Sequence, residues 1–197
     1  MNHSPLMSLA LTGGGWVIWA LILSSVGAVA VVYDRWKLLK EERAALDALR
    51  APVLAAAKAG DPEAADKALR AHPGAAARIL SEVDDLDAVL ADEKRFLEGR
   101  LLWLGTLGNN APFIGLFGTV LGVIKAFHDL AESGAGPEVV MAGLSEALVA
   151  TAVGLLVAIP CVLAFNVLQK QVRDILSETE ALGRRLSNAS RAEARRR

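Results

Sequence analysis

The sequence predicts an all-α integral membrane protein with three transmembrane helices, an external N-terminus, an internal C-terminus and long helices that extend into a cytoplasmic helical region. Three stretches carry no formal charge: Ser4–Tyr33, Leu101–Ile124 and Ala147–Gln169. Each is longer than the roughly 20 residues that a helix needs to cross about 30 Å of hydrocarbon. Hydrophobic residues make up 53 % of the chain and the mean hydropathy is +0.38, both high for a soluble domain.

The first charge-free stretch is expected to remain in the membrane rather than to be cleaved as a signal peptide. It lacks a basic segment before it, its apolar run is long, and Arg35, Trp36 and Lys37 follow it as a stop signal. Cys161 is the only cysteine. An internal disulfide and a cysteine-based metal cluster are therefore excluded.

The segregation of basic residues predicts the orientation of the chain. Residues 34–100 carry twelve Lys or Arg and the tail from Lys170 carries eight, whereas residues 126–138 carry none. The charges of that short segment are Asp129, Glu132 and Glu138, with Lys125 at its edge. The positive-inside rule then places the N-terminus outside and both basic segments in the cytoplasm.

These observations divide the chain into six segments. We expect residues 1–33 to hold the outside N-terminus and the first transmembrane helix, and residues 34–102 to form a cytoplasmic helical segment. The second transmembrane helix is expected at 103–127, a short external loop at 128–138 and the third transmembrane helix at 139–168. Residues 169–197 form a cytoplasmic C-terminal helix and a basic tail.

Apolar residues at helical spacing predict that both cytoplasmic segments are helical. Asp61-Pro62 is typical of a helix start, and Pro73-Gly74 of its end. No helix breaker lies between Ala75 and Gly99, which predicts that the second membrane helix begins well inside the cytoplasm. The Arg-rich C-terminal end also fits a contact with membrane lipid. The apolar positions are Leu38, Leu39, Leu46, Leu49, Val53 and Leu54, and in the tail Val172, Ile175, Leu176, Leu182 and Leu186.

Glu146 is the only charged residue between Val139 and Leu168. A charge near the centre of a membrane helix costs roughly 2.5 to 3.5 kcal/mol on insertion scales, and such a residue usually marks an ion or proton site. Two interpretations stay open. Glu146 either forms such a site at membrane depth, or lies near the outer end of its helix and reaches interfacial water.

Small residues gather on one face of the second and third spans, while bulky apolar residues gather on the other. In lipid, small residues mark the places where helix backbones approach closely. Glu146 lies at the edge of the small face, so we expect it to face protein or an enclosed space. The predicted packing residues are Gly115, Gly118, Gly122, Gly143, Ala147 and Gly154, together with Pro112, Pro160 and Asn166.

Thr119 and Thr151 are the hydroxyl groups on these small faces. Each hydroxyl either bonds the carbonyl one turn back in its own helix or lines a path beside Glu146. Pro112 and Pro160 free backbone carbonyls that neighbouring helices must satisfy, which favours tight assembly. Three spans hide a polar site poorly in a monomer, so we expect a homo-oligomer around a shared axis.

Two segments resemble the MotA/TolQ/ExbB proton-channel family, in particular its ExbB/TolQ branch. The run from Ala111 to Gly122, APFIGLFGTVLG, is similar to the second-span signature of the family. The run from Gly143 to Pro160, GLSEALVATAVGLLVAIP, followed by Asn166, is similar to its third-span signature. Lys125, His128 and Asp129 are less usual in the family.

The resemblance implies a proton-channel subunit of an inner-membrane motor that turns proton-motive force into work on periplasmic or outer-membrane machinery. It implies a pentamer around a dimeric, single-span ExbD/TolR-like partner, with a TonB/TolA-like periplasm-spanning protein as a further partner. By motif, Glu146, Thr151 and Thr119 match polar residues that face the pore. The proton-carrying carboxylate is usually an aspartate of the partner.

Two other functions stay open: a membrane scaffold without ion flow, and a flagellar-type stator subunit. An enzyme is not expected, because the sequence offers no catalytic constellation, phosphate-binding loop or metal-ligand spacing. We predict no cofactor and no nucleic-acid partner. The sequence leaves open whether the ion is H⁺ or Na⁺, and which machinery is driven.

Overall fold

The computed structural model describes residues 11–133 and 136–194, and this part of the chain is helical, which confirms the all-α prediction. Asp61 and Pro62 begin the second helix as predicted: the Asp61 carboxylate accepts hydrogen bonds from the amides of Glu63 and Ala64, both 3.0 Å long. The described helices are α1 (Gly15–Ala59), α2 (Pro62–Ala71), α3 (Ala75–Ser81), α4 (Leu86–Glu98), α5 (Leu101–Ser133) and α6 (Pro137–Ala194), with a 3₁₀ turn at Val83–Asp85.

Three of these helices, α1, α5 and α6, are long and apolar enough to cross a membrane. Their most apolar windows have mean hydropathies of 2.2, 1.5 and 2.6. The prediction of three membrane-spanning helices is confirmed, and the chain is a multi-pass membrane protein. Large apolar side chains such as Leu23, Phe113 and Leu156 are exposed on these helices. In a membrane protein such surfaces meet lipid or other subunits.

The chain forms two compact units. The first unit is drawn from Met1–Val32 and Leu102–Phe165, and it contains the apolar parts of α1, α5 and α6. The second unit is drawn from Tyr33–Leu101 and Asn166–Arg197. Helices α1, α5 and α6 each contribute residues to both units.

In the first unit, α5 and α6 pack antiparallel along their small residues. A Cβ atom on Gly108 would meet Val162 at 2.7 Å, whereas one on Gly122 would meet Ala147 at 2.7 Å. Contacts this short leave no room for a larger residue. Residues exposed on the opposite faces include Phe113, Phe117, Val120 and Ile124 of α5 and Leu148, Leu155, Leu156, Ile159 and Leu163 of α6. Leu121 of α5 is also bulky but is buried.

In the second unit, the apolar residues of α1 and α6 form a core. Leu46, Leu49 and Val53 of α1 are fully buried, as is Val172 of α6. The polar contacts lie at its edge, where Arg43 donates a 2.6 Å hydrogen bond to Glu178. This bond raises the pKa of Arg43 further above its ordinary value, so the guanidinium stays charged at physiological pH.

The stretch from Ala75 to Gly99 differs from the sequence prediction. Helix α3 ends at Ser81, a 3₁₀ turn follows, and α4 begins only at Leu86. Three aspartates between Asp84 and Asp87 favour caps and turns over helix interiors. A second break separates α4 from α5, where the Gly99 amide donates to the carbonyl of Phe96. The helix that contains the second apolar span therefore begins at Leu101, and the stretch from Ala75 to Gly99 is not continuous with it.

Helix α5 also continues to Ser133, and α6 begins at Pro137. The segment between these two helices is therefore shorter than the predicted loop at 128–138. Helical bounds do not mark a membrane surface, so the six topological segments stay predictions.

Candidate functional site

The hydroxyl groups of Thr119 and Thr151 meet between α5 and α6, with their oxygen atoms 2.5 Å apart. Thr119 also donates to the carbonyl of Gly115, at 3.2 Å, one turn back in its own helix. When the hydrogen of Thr119 is used in that way, Thr151 donates to Thr119. The bond to its own helix, one of the two sequence-based interpretations of Thr119, is therefore present, while a path beside Glu146 stays a prediction. Its hydroxyl bonds its own backbone and also joins the third span.

Small residues on both helices bring the two threonines within reach of each other. A Cβ on Gly115 would lie 2.7 Å from the carbonyl oxygen of Ala150 and 3.1 Å from the Cα of Thr151. One on Gly118 would lie 2.9 Å from the Cβ of Ala150 and 3.1 Å from Val17 of α1. Because the backbones approach this closely, two short side chains can span the distance between helices.

Glu146 lies beside a cavity of about 110 Å³ in the first unit, which has room for several water molecules. A Cβ on Gly15, at the start of α1, would stand 3.7 Å from its carboxylate. Lys125 and Asp129 of α5 line the same cavity. In the single chain the Glu146 side chain is exposed, so it reaches water or a neighbouring molecule.

Glu146 lies toward one end of the apolar helices rather than at their middle. Gly15, Lys125 and Glu146 each stand at an end of the charge-free part of their helix. The rise from Gly15 to Val32 along α1 is about 26 Å, close to the hydrocarbon thickness of a bilayer. Glu146 thus lies near one end of the charge-free part of α6, nine residues after the helix begins at Pro137.

The threonine pair lies deeper in the first unit than Glu146. Thr151 follows Glu146 by five residues, or about 7.5 Å of helical rise. Thr119 precedes Lys125 by six residues, or about 9 Å. The structure thus brings the two threonines together and places the carboxylate about one and a half turns away along α6.

The other predicted packing residues occupy several environments. A Cβ on Gly143 would lie 2.7 Å from Ala126, and Gly154 lies against Gly115. Pro112 is half-buried within α5 and Pro160 is exposed within α6, and both helices continue through their prolines. Asn166 is exposed and belongs to the second unit.

Sequence reasoning missed the surroundings of Glu146. The sequence analysis noted Lys125 and Asp129 only as residues that are less usual in the family. Nothing in a single sequence indicates that they line the same cavity as Glu146. The run Gly13-Gly14-Gly15 was the available signal, because consecutive glycines allow another element to approach the backbone. Gly13 has φ of 74°, and a Cβ there would be 2.9 Å from Cδ of Lys125.

The sequence profile of the MotA/TolQ/ExbB proton channel family matches residues 52–181, more than half of the chain. The matched range contains Thr119, Glu146 and Thr151. The chain belongs to this family. The family is of the channel and transport type and is not an enzyme family.

Curated relatives agree with this family membership. A protein of Helicobacter pylori named "Biopolymer transport protein ExbB" is 45 % identical over 100 residues, or 50 % of this chain and 66 % of that protein. A protein of the same name from Aquifex aeolicus is 42 % identical over 93 residues, or 47 % of this chain and 63 % of that protein. A "Tol-Pal system protein TolQ" of Pseudomonas aeruginosa is 40 % identical over 101 residues, which are 50 % of this chain and 44 % of that protein. The chain therefore matches less than two thirds of the length of each relative.

Proposed function

We propose that this chain is the proton-channel subunit of an inner-membrane, energy-transducing motor of the ExbB/TolQ type. It couples proton-motive force to work on periplasmic or outer-membrane machinery. The observation that carries this proposal is the hydrogen bond between Thr119 and Thr151 across the α5–α6 contact, in a chain of the proton-channel family. This contact supports the proposal, because it joins the two hydroxyls between the second and third spans.

The proposed orientation follows the distribution of basic residues. Residues 34–100 and the tail from Lys170 face the cytoplasm, so Glu146 lies at the periplasmic end of the third span. Protons driven inward then meet the Glu146 carboxyl before the threonine pair. Each elementary charge that crosses the membrane releases about 2.3 kcal/mol per 100 mV.

The side chains suit a path that carries protons in steps. A carboxyl group takes up and releases a proton, while a hydroxyl accepts one hydrogen bond and donates another. Glu146 serves as the outer acceptor, and Thr119 and Thr151 orient water or a partner's carboxyl group farther in. Both threonines are half-buried in the single chain, which leaves part of each hydroxyl surface available to a second molecule.

The assembly we propose is a homo-pentamer around a dimeric, single-span partner of the ExbD/TolR type. The partner supplies the aspartate that carries protons through the pore, and a TonB/TolA-like protein transmits the motion across the periplasm. Large exposed apolar side chains on all three apolar helices offer the surface for subunit contacts as well as for lipid. Two short threonine side chains cannot enclose a proton path by themselves. In the proposed assembly, neighbouring copies of this chain and the single-span partner form the rest of the path.

The experiment is proton uptake into liposomes that contain this protein with an ExbD/TolR-like single-span protein of the same organism. Glu146→Gln is compared with wild type and with Glu138→Gln. Glu138 is an exposed carboxylate in the first turn of the same helix, about 12 Å away by helical rise, so it is a matched control. We expect uptake to need both proteins, to fall in Glu146→Gln and to persist in Glu138→Gln.

Assembly is measured on the same preparations, by mass photometry of the detergent-solubilised complex. Glu146→Gln keeps the volume and polarity of the side chain, so its complex is expected to have wild-type mass. A stable complex that conducts no protons in any gradient would favour the scaffold function instead. Loss of the complex in Glu146→Gln would assign Glu146 to assembly rather than to conduction.

A further inference from the structure

Lys125 holds a defined position in the cavity beside Glu146. Its aliphatic stem lies against Gly13, where a Cβ would be 2.9 Å from Cδ of the lysine. The φ of 74° at Gly13 is a left-handed conformation that suits glycine. The turn before α1 is thus shaped to the lysine stem, and the ammonium lies 4.0 Å from a carboxylate oxygen of Asp129.

The charges around this cavity come from two helices. Asp129 and Lys125 belong to α5, and Glu146 belongs to α6. His128 approaches Asp129 at 4.0 Å and Glu132 at 3.6 Å, both on its own helix. The segment before α1 lines the cavity with residues 12–15, which carry no ionisable side chain. Within the described lining, Lys125 is therefore the permanent cation, and Asp129 and Glu146 are the two carboxylates.

We propose that Lys125 makes the cavity selective for protons over sodium ions, a role that deepens the proposed function and rests on it. Hard cations bind to groups of carboxylate, carbonyl and water oxygens. The lysine ammonium lies 4.0 Å from Asp129 and lines the same cavity as Glu146, so it adds positive charge where Na⁺ would otherwise collect. A proton needs no such coordination shell, because it bonds covalently to one carboxyl oxygen. Glu146 therefore exchanges protons while metal cations are repelled.

A purely structural role for Lys125 makes a different prediction. If the lysine only packs its stem on Gly13, a long uncharged side chain should replace it without consequence. Lys125→Met keeps the length of the stem and removes the charge, while Lys125→Arg keeps the charge. Comparing these variants separates the effect of the ammonium charge from the effect of the packing of the aliphatic stem. Lys125→Gln is a second neutral variant in case the thioether disturbs folding.

The first measurement uses the purified full chain and needs no partner. Its Tm is recorded in NaCl and in choline chloride at equal ionic strength. We expect Lys125→Met and Lys125→Gln to gain a stabilisation by Na⁺ that choline does not give, and Lys125→Met/Glu146→Gln to lose it. Wild type, Lys125→Arg and Lys67→Gln should show no difference between the two salts. Lys67 is an exposed lysine of α2 and controls for the loss of one charge.

The second measurement is proton uptake by the reconstituted complex with and without external Na⁺. We expect Na⁺ to reduce proton uptake about tenfold in Lys125→Met and to leave uptake by wild type and Lys125→Arg unchanged. A positive charge about 4 Å from a partly hydrated carboxylate lowers the affinity for a second cation about tenfold or more. The inference falls if neither neutral variant responds to Na⁺, if Lys125→Arg behaves like Lys125→Met, or if wild type itself binds Na⁺. If no preparation conducts protons, the proposed function fails, while the Tm comparison still tests the exclusion of Na⁺ by Lys125.

Discussion

Gly115 and Gly154 lie against each other in the contact between α5 and α6. A Cβ on Gly154 would stand 3.1 Å from the Cα of Gly115 and 2.6 Å from the carbonyl oxygen of Ala111. Backbone atoms cannot turn aside as the tip of a long side chain can. The helices can accommodate a larger residue only by separating, and Thr151 lies one turn from this point.

Gly154→Val should therefore weaken the helix contact. Overpacking of this kind typically costs about 1–3 kcal/mol. The measurement is the Tm of the solubilised protein, with Gly136→Val as the control. At Gly136 a Cβ would make only an ordinary contact, 3.5 Å from Glu138. We therefore expect Gly136→Val to change the free energy of unfolding by no more than about 0.5 kcal/mol. Equal Tm values for the two variants would show that the contact tolerates bulk.

Asp61→Ala should destabilise the start of α2. The carboxylate of Asp61 accepts hydrogen bonds from the amides of Glu63 and Ala64, and loss of such a cap costs about 0.5–2 kcal/mol. Asp61→Ser keeps an oxygen acceptor and should change stability by only a few tenths of a kcal/mol. Hydrogen exchange at the first amides of α2 measures this directly, with faster exchange in the alanine variant alone. Equal protection in both variants would mean that other contacts hold this turn.

The sequence predicted those features of the fold that depend on residues close together in the chain. Asp61-Pro62 specifies a helix start by local hydrogen bonding and a fixed φ, and the structure has the helix there. Leu46 and Leu49 recur at helical spacing and are buried in the second unit. The break near Asp85 escaped prediction, because a short charged segment inside a helical pattern reads equally well as an exposed helix face.

The site was harder to predict, because it depends on the register between helices. A helical wheel places Thr119 and Thr151 on small faces but does not say that the two oxygens lie at the same level. The same limit hid the proximity of Gly15, Lys125 and Glu146, which are far apart in the sequence. Small residues indicate that helices approach one another, while the matching of individual contacts fixes the register.

The second unit should depend on its apolar core more than on its ion pairs. Leu46 is fully buried, and Leu46→Ala should cost about 2–5 kcal/mol. The side chains of Arg43 and Glu178 are 41 % and 34 % exposed, so their pair is screened by water and Arg43→Ala should cost at most about 1 kcal/mol. Thermal unfolding of both variants under one set of conditions tests the order. The reverse order would mean that Glu178, whose Oε2 is buried without a hydrogen bond, depends strongly on Arg43.

The two threonines should behave as one unit when their hydroxyls are removed. Thr119→Val and Thr151→Val each break the same hydrogen bond, whose loss between membrane helices costs about 0.6 kcal/mol on average. The double variant should therefore be less destabilised than the sum of the two single variants. Proton uptake should follow the same pattern, because either valine interrupts the hydroxyl pair.

Thr106→Val provides the matched control for this cycle. The Thr106 hydroxyl lies on the same helix and donates to the carbonyl of Leu102, four residues back, at 2.8 Å. Its loss should leave proton uptake unchanged and should add independently to the effect of Thr151→Val. Strict additivity between Thr119→Val and Thr151→Val would show that the two hydroxyls act separately. Normal uptake in both single variants would remove the pair from the proton path while leaving its role in packing intact.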